Sequence, residues 1–74
     1  MLTDTERKNL TDLQERCDRN ELVELDAPSQ ILYWVDMSER GYAIMRRHAR
    51  VGLELVKGDY VKISEAGRFA LRHY

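Results

Sequence analysis

A pattern written twice constrains this chain more than any other feature. Val35-Asp36-Met37-Ser38-Glu39-Arg40-Gly41 is echoed by Val61-Lys62-Ile63-Ser64-Glu65-Ala66-Gly67, and the echo runs without a gap from 35–48 onto 61–74. Each copy reads as an extended run, a Ser able to cap a helix, and then a helix. With 74 residues in all, the chain has room for one domain spanning 1–74.

Charge is the second constraint. The net charge of −1 hides a division along the chain. Residues 1–39 carry ten acids and four bases, a balance of −6, whereas residues 40–74 carry eight bases and three acids, a balance of +5. Such polarity implies either a basic face for an anionic partner or attraction between the two halves. Hydrophobic content of 43% beside 34% charged residues is that of a globular chain, not a disordered one. One Cys excludes an intrachain disulfide and suits a reducing compartment. No apolar run approaches the ~18 residues of a membrane span. The opening Met1-Leu2-Thr3-Asp4-Thr5-Glu6 lacks the basic and apolar regions of a signal peptide, so the expected location is cytoplasmic. A folded monomer is feasible at this size, and a homodimer would add contact area.

Thr3 and Glu6 have capping-box spacing, which predicts a helix over 3–20 with a thin apolar stripe of Leu10, Leu13 and Cys17. Residues 22–26 read as a short strand, and Ala27-Pro28-Ser29-Gln30 as a break. Residues 31–37 suit either of two states. Their β-branched and aromatic side chains and the echo favour a strand; Asp26 as a cap with Pro28 in the first turn favours a short buried helix over 28–36. The 100° periodicity then predicts a helix over 38–50, capped by Ser38 and closed by Gly52. Residues 53–57 and 60–63 read as strands joined at Gly58-Asp59, with Leu53, Leu55, Val61 and Ile63 on a buried face. Ser64 caps a last helix, 65–73, with Phe69, Ala70 and His73 inward.

On that reading the helix over 38–50 is divided. Gly41, Ile44, Met45, His48 and Ala49 face inward, while Arg40, Arg46, Arg47 and Arg50 share the outer face. Four guanidinia so placed can contact phosphates or guanine edges, or else form a solvated face that pairs with the acidic first helix. Lys57 and Lys62 of the hairpin join them as candidate phosphate contacts. Tyr33, Trp34, Tyr42 and Tyr60 are either core filling or stacking residues. The two His and single Cys lack metal-ligand spacing, and no nucleotide-binding glycine motif occurs. Neither a catalytic residue, a metal nor a cofactor is expected.

Residues 50–54 (Arg50-Val51-Gly52-Leu53-Glu54), then Lys57-Gly58-Asp59-Tyr60, then Val61-Lys62-Ile63-Ser64-Glu65-Ala66-Gly67-Arg68 resemble the end of a winged-helix DNA-binding domain. In that family a recognition helix runs into a Gly-Leu strand, a β-hairpin wing follows, and a Ser/Thr-Glu-x-Gly-Arg turn leads into a C-terminal helix. The resemblance covers roughly residues 42–72. It implies a small α+β, winged-helix-like domain: a charged N-terminal helix, a basic helix in the recognition position, a β-hairpin with Gly58-Asp59 at the wing tip, and a C-terminal helix. The implied function is a non-catalytic DNA-binding regulator of transcription whose partner is double-stranded DNA. The competing expectation is a small protein-binding adaptor or inhibitor of the kind that phages and mobile elements encode.

Overall fold

In a computed structural model, which describes residues 1–73, the first helix forms as its cap dictates. Helix α1 spans Asp4–Asp18. The Glu6 backbone N–H donates to Thr3 Oγ1 at 3.1 Å, and the Thr3 N–H donates to Glu6 Oε1 at 2.9 Å, so both halves of the capping box are made. At the other end Asn20 takes φ 58°, and the N–H groups of Asn20 and Glu21 donate to the carbonyls of Cys17 and Arg16. That is a Schellman closure with Asn in the left-handed position. Leu10 and Leu13 are buried and Cys17 is half-buried, as the stripe predicts.

Helix α2 spans Pro28–Glu39. Residues 31–37 are therefore helical rather than extended. Pro28 occupies the first turn, where its missing N–H costs nothing. Asp26 makes no capping bond, because the N-cap position falls on Ala27, which has none to make. Met37 is fully buried on the inner face. The helix stops at Gly41, which takes φ 89°; the Gly41 N–H donates to the Ser38 carbonyl and the Tyr42 N–H to the Met37 carbonyl. This second Schellman closure turns the chain where a helix over 38–50 was expected to begin. Ser38 caps nothing and donates to the Val35 carbonyl inside α2. The two copies of the sequence pattern thus do opposite work: one ends a helix, the other starts one. Residue 74, the last of the echo, lies outside the described residues.

The stretch expected to be a basic helix is strand β1, Ala43–Val51, paired antiparallel with β2, Glu54–Ile63. The hairpin turns at Gly52-Leu53, not at Gly58-Asp59. Gly52 takes φ 63° at the first loop position, the placement a tight II′-type hairpin turn requires of glycine. Gly58 and Asp59 instead form a bulge in β2, set between the pairs Arg46↔Tyr60 and His48↔Lys57. Two features hold the bulge there. The Tyr60 ring lies so close over Gly58 that a Cβ would meet it at 2.9 Å. The Asp59 carbonyl accepts from the Leu25 N–H at 2.7 Å, and the Val61 N–H donates to the Val23 carbonyl at 3.1 Å. The segment expected as a strand over 22–26 thereby lies along β2 through one bridge, Glu24↔Tyr60. The bulge sets Leu55 on the face opposite Val61 and Ile63, and Leu53 falls in the turn; Val61 and Ile63 are buried while Leu53 and Leu55 are exposed.

Helix α3, Glu65–Arg72, starts as expected: Ser64 Oγ accepts from the Gly67 N–H at 3.0 Å and donates to the Gly41 carbonyl. Its inner side differs from expectation. Gly67, Ala70 and Leu71 face the body, whereas Phe69 and His73 are exposed and stack on one another at 4.0 Å. The result is an α+β domain of three helices and an antiparallel hairpin. Its core gathers Leu2, Leu10 and Leu13 of the N-terminal segment, Val23 and Leu25 of the bridging segment, Met37, and the hairpin root at Ala43, Val61 and Ile63. Among the described residues no helix is long and apolar enough to cross a membrane.

Candidate functional site

The pleat decides which cations of the hairpin stand together. Directly opposed residues of an antiparallel pair share a face, and successive residues alternate. Ala43/Ile63 and Met45/Val61 cover the core. The other face carries Ile44/Lys62, Arg46/Tyr60, His48/Lys57 and Arg50/Leu55. Arg46, Arg50, Lys57 and Lys62 therefore form a basic stripe along one side of the ribbon, with His48 among them. Within the hairpin no acidic residue occupies a paired position on that face; at its edge Glu24, bridged to Tyr60, shares it. Every residue from 50 to 57 is exposed, so the tip stands clear of the helical body.

Arg40 and Arg47 do not belong to this stripe. Arg40 closes α2 and is committed elsewhere: its guanidinium donates to Glu6 Oε2 at 2.5 Å, lies 3.6 Å from Asp36, and sits 5.3 Å over the Tyr42 ring. That guanidinium, together with the Thr3 N–H, lowers the Glu6 carboxyl to about 2. Arg47 lies on the opposite side of β1 from Arg46. The six expected contact residues are thus brought together as four, with one on the reverse face and one removed from the hairpin.

The acids of α1 do not neutralise the stripe. Among the described residues, α1 and its C-terminal turn pair with Arg7, Arg16, Arg19, Arg40 and Arg68. Glu21 is held below the usual carboxylate range by Arg16 first and Arg19 second. No ion pair involves Arg46, Arg47, Arg50, Lys57 or Lys62 among those residues. The hairpin itself carries five bases and two acids, Glu54 and Asp59. The chain is divided into an acidic helical body and a basic arm.

His48 is the residue that helical periodicity misplaced, assigning it inward when it is exposed among the cations. A period of two over Arg46, His48 and Arg50 is the signal that finds it. Tyr60 is buried, and Tyr33 and Trp34 pack edge to face at 5.1 Å beside the core, with the Tyr33 hydroxyl accepting from Asn9 at 3.0 Å. These three are structural. Tyr42 is half-buried under Arg40. Among the described residues no group of three or more His, Cys, Asp or Glu is placed to hold a metal ion. On the far side, Met1, Leu2, Tyr42, Ala66, Phe69 and Ala70 line an apolar groove of ≈ 790 Å³. No family model, curated protein or solved structure matches the chain.

Proposed function

We propose that this chain is a small non-catalytic DNA-binding regulator, winged-helix-like in build, that contacts duplex DNA through its hairpin. The observation that carries the reading is the single-faced stripe of Arg46, Arg50, Lys57 and Lys62 on an arm that makes no ion pair among the described residues. In the winged-helix comparison, α2 rather than residues 38–50 precedes the wing. Its exposed side chains include Asp36 and Glu39 and no Lys or Arg, so it repels phosphate. The wing carries the contact instead. A two-stranded ribbon fits the major groove, which is about 12 Å wide, and Arg on its face can reach guanine edges while Lys meets phosphate. Counterion release gives a slope in log affinity against log salt of roughly −4 if all four cations meet phosphate, and roughly −2 if the two Arg read bases.

The test is anisotropy titration of labelled duplex DNA at several salt concentrations, with Arg46→Glu/Arg50→Glu beside the wild type. Steep salt dependence that disappears in the variant supports the reading. No binding at about 50 mM salt, where electrostatic affinity is strong, overturns it. A second reading, a protein-binding adaptor or inhibitor, is favoured by Leu53, which is 98% exposed at the hairpin tip, and by the apolar groove beside Phe69. The same titration separates the two, since an adaptor of that kind leaves DNA unbound.

A further inference from the structure

The reverse face of the hairpin is self-complementary. It continues the core face of the sheet beyond the helices that cover it. From root to tip it reads Arg47, then Ala49 opposite Val56, then Val51 opposite Glu54. Val51 and Val56 are exposed, at 52% and 37%, and Ala49 between them is buried. Arg47 lies four residues from Val51, the partner of Glu54, which is about 13 Å along the strand. The two charges are too far apart to meet within one chain, and neither has an ion pair among the described residues. The face therefore carries Arg47 at its root, with the bulged Gly58-Asp59 across from it, and Glu54 at its tip, with aliphatic side chains between.

We infer that this face docks against the same face of a second copy of this chain. A two-fold axis between the two faces, running across the strands at the level of the Ala49–Val56 pair, sets the tip of one hairpin over the root of the other. Arg47 of each copy then lies diagonally across from Glu54 of the other, one strand over and within reach of its long side chain, and Val51 and Val56 are covered. Isologous contact demands a patch that complements itself, and a patch with opposite charges at its two ends meets that demand. Hairpins stacked the other way round would set Arg47 against Arg47 and Glu54 against Glu54. The basic stripe lies on the outer side of each ribbon, so the dimer displays two such stripes. The inference does not rest on DNA binding, because neither Arg47 nor Glu54 belongs to the stripe. The covered face is small, so the dimer belongs to the weak class, dissociating in roughly the micromolar range.

Sedimentation velocity over rising protein concentration tests this with the full chain. Wild type shifts from monomer to dimer. Arg47→Glu leaves two acids on the face and Glu54→Arg leaves two bases, so each variant alone associates roughly tenfold or more weakly. An equimolar mixture of the two variants restores both cross-pairs and recovers the dimer, which also shows that both variants are folded. A wild type that stays monomeric to about 0.5 mM, a hundredfold or more above that range, overturns the inference. So do single variants that associate like wild type, which would move the contact to the groove beside Phe69, or a mixture that shows no recovery.

Discussion

Arg40, at the end of α2, donates to the carboxylate of Glu6, in the first turn of α1 and 34 residues earlier. Glu6 also completes the cap of α1 by accepting from the Thr3 N–H. One carboxylate therefore caps one helix and holds another. Its folded value is about 2, below the ordinary 4.5, because the Arg40 hydrogen bond and then the Thr3 N–H favour the charged form. A lowered carboxyl stabilises the fold above its unfolded value and loses that contribution as pH falls through the folded one. Between pH 7 and about 5 the contribution is complete; from about 4.5 down to about 2 it drains away. Glu6→Gln is expected to lower Tm at pH 7 by a few degrees, and the gap from wild type narrows as melts are run at successively lower pH. A gap that stays constant to about pH 2.5 contradicts the pairing.

Gly67 fixes how closely α3 approaches the turn after α2. A Cβ on Gly67 would lie 2.2 Å from the Tyr42 carbonyl oxygen and 2.9 Å from Ile63 Cγ1. The carbonyl is backbone and also accepts from the Ser64 N–H at 3.2 Å, so it cannot yield freely. Alanine favours the helix over glycine by up to about 1 kcal/mol, but overpacking here is expected to exceed that and leave Gly67→Ala destabilised by about 1–2 kcal/mol. Urea unfolding would show a lower midpoint with an unchanged slope. A midpoint raised above wild type contradicts the close approach.

Gly41 and Gly52 both need left-handed backbone, and for both nothing crowds the Cβ position. Their replacement by Ala isolates the conformational cost, about 1 kcal/mol or slightly more at each site. The two losses differ in kind. Gly41→Ala weakens the closure of α2 and is expected to lower the global Tm. Gly52→Ala loosens a hairpin tip that touches no core, so faster amide exchange in residues 49–56 is expected with little change in Tm. Equal effects of the two on Tm would mean that the tip is more tightly coupled to the body than its exposure implies.

What was legible in the chain was what is locally determined. Thr3 and Glu6 specify the start of α1 with no help from elsewhere, and Leu10 and Leu13 specify its inner edge. Ser64 likewise marks the start of α3. Residues 43–51 were not legible, because Met45-Arg46-Arg47-His48-Ala49-Arg50 is rich in helix formers and fits a helical period by chance. Its strand state comes from pairing with β2, a long-range event, and from the turn at Gly41, which ends the preceding helix. The hairpin turn was ambiguous for a similar reason. Gly52-Leu53 and Gly58-Asp59 are both dipeptides beginning with Gly, either of which suits a two-residue hairpin loop. The choice between them is made by the Leu25 bond to Asp59 and by the Tyr60 ring over Gly58, and neither is written near the turn. The expected site is four arginines on a helix joined by two lysines of the hairpin, and the site observed is two of those arginines and both lysines on one ribbon, since a period of 3.6 and a period of two sort the same arginines differently.

That difference separates two roles that the sequence reading merged. Arg40 is committed to Glu6 and α1, whereas Arg50 is exposed, has no ion pair among the described residues and lies on the basic stripe. Arg40→Ala is therefore expected to lower Tm and leave the affinity for duplex DNA within about twofold of wild type. Arg50→Ala is expected to leave Tm unchanged and weaken DNA binding, with the salt slope reduced by about 1 if Arg50 meets phosphate. Should Arg50 read a guanine edge instead, the loss is about 1–3 kcal/mol and appears as reduced discrimination between sites rather than as a shallower slope. Thermal melts and anisotropy titrations on the same two variants give all four numbers. A matching loss of DNA affinity in Arg40→Ala, with no fall in Tm, would return the contact surface to the end of α2.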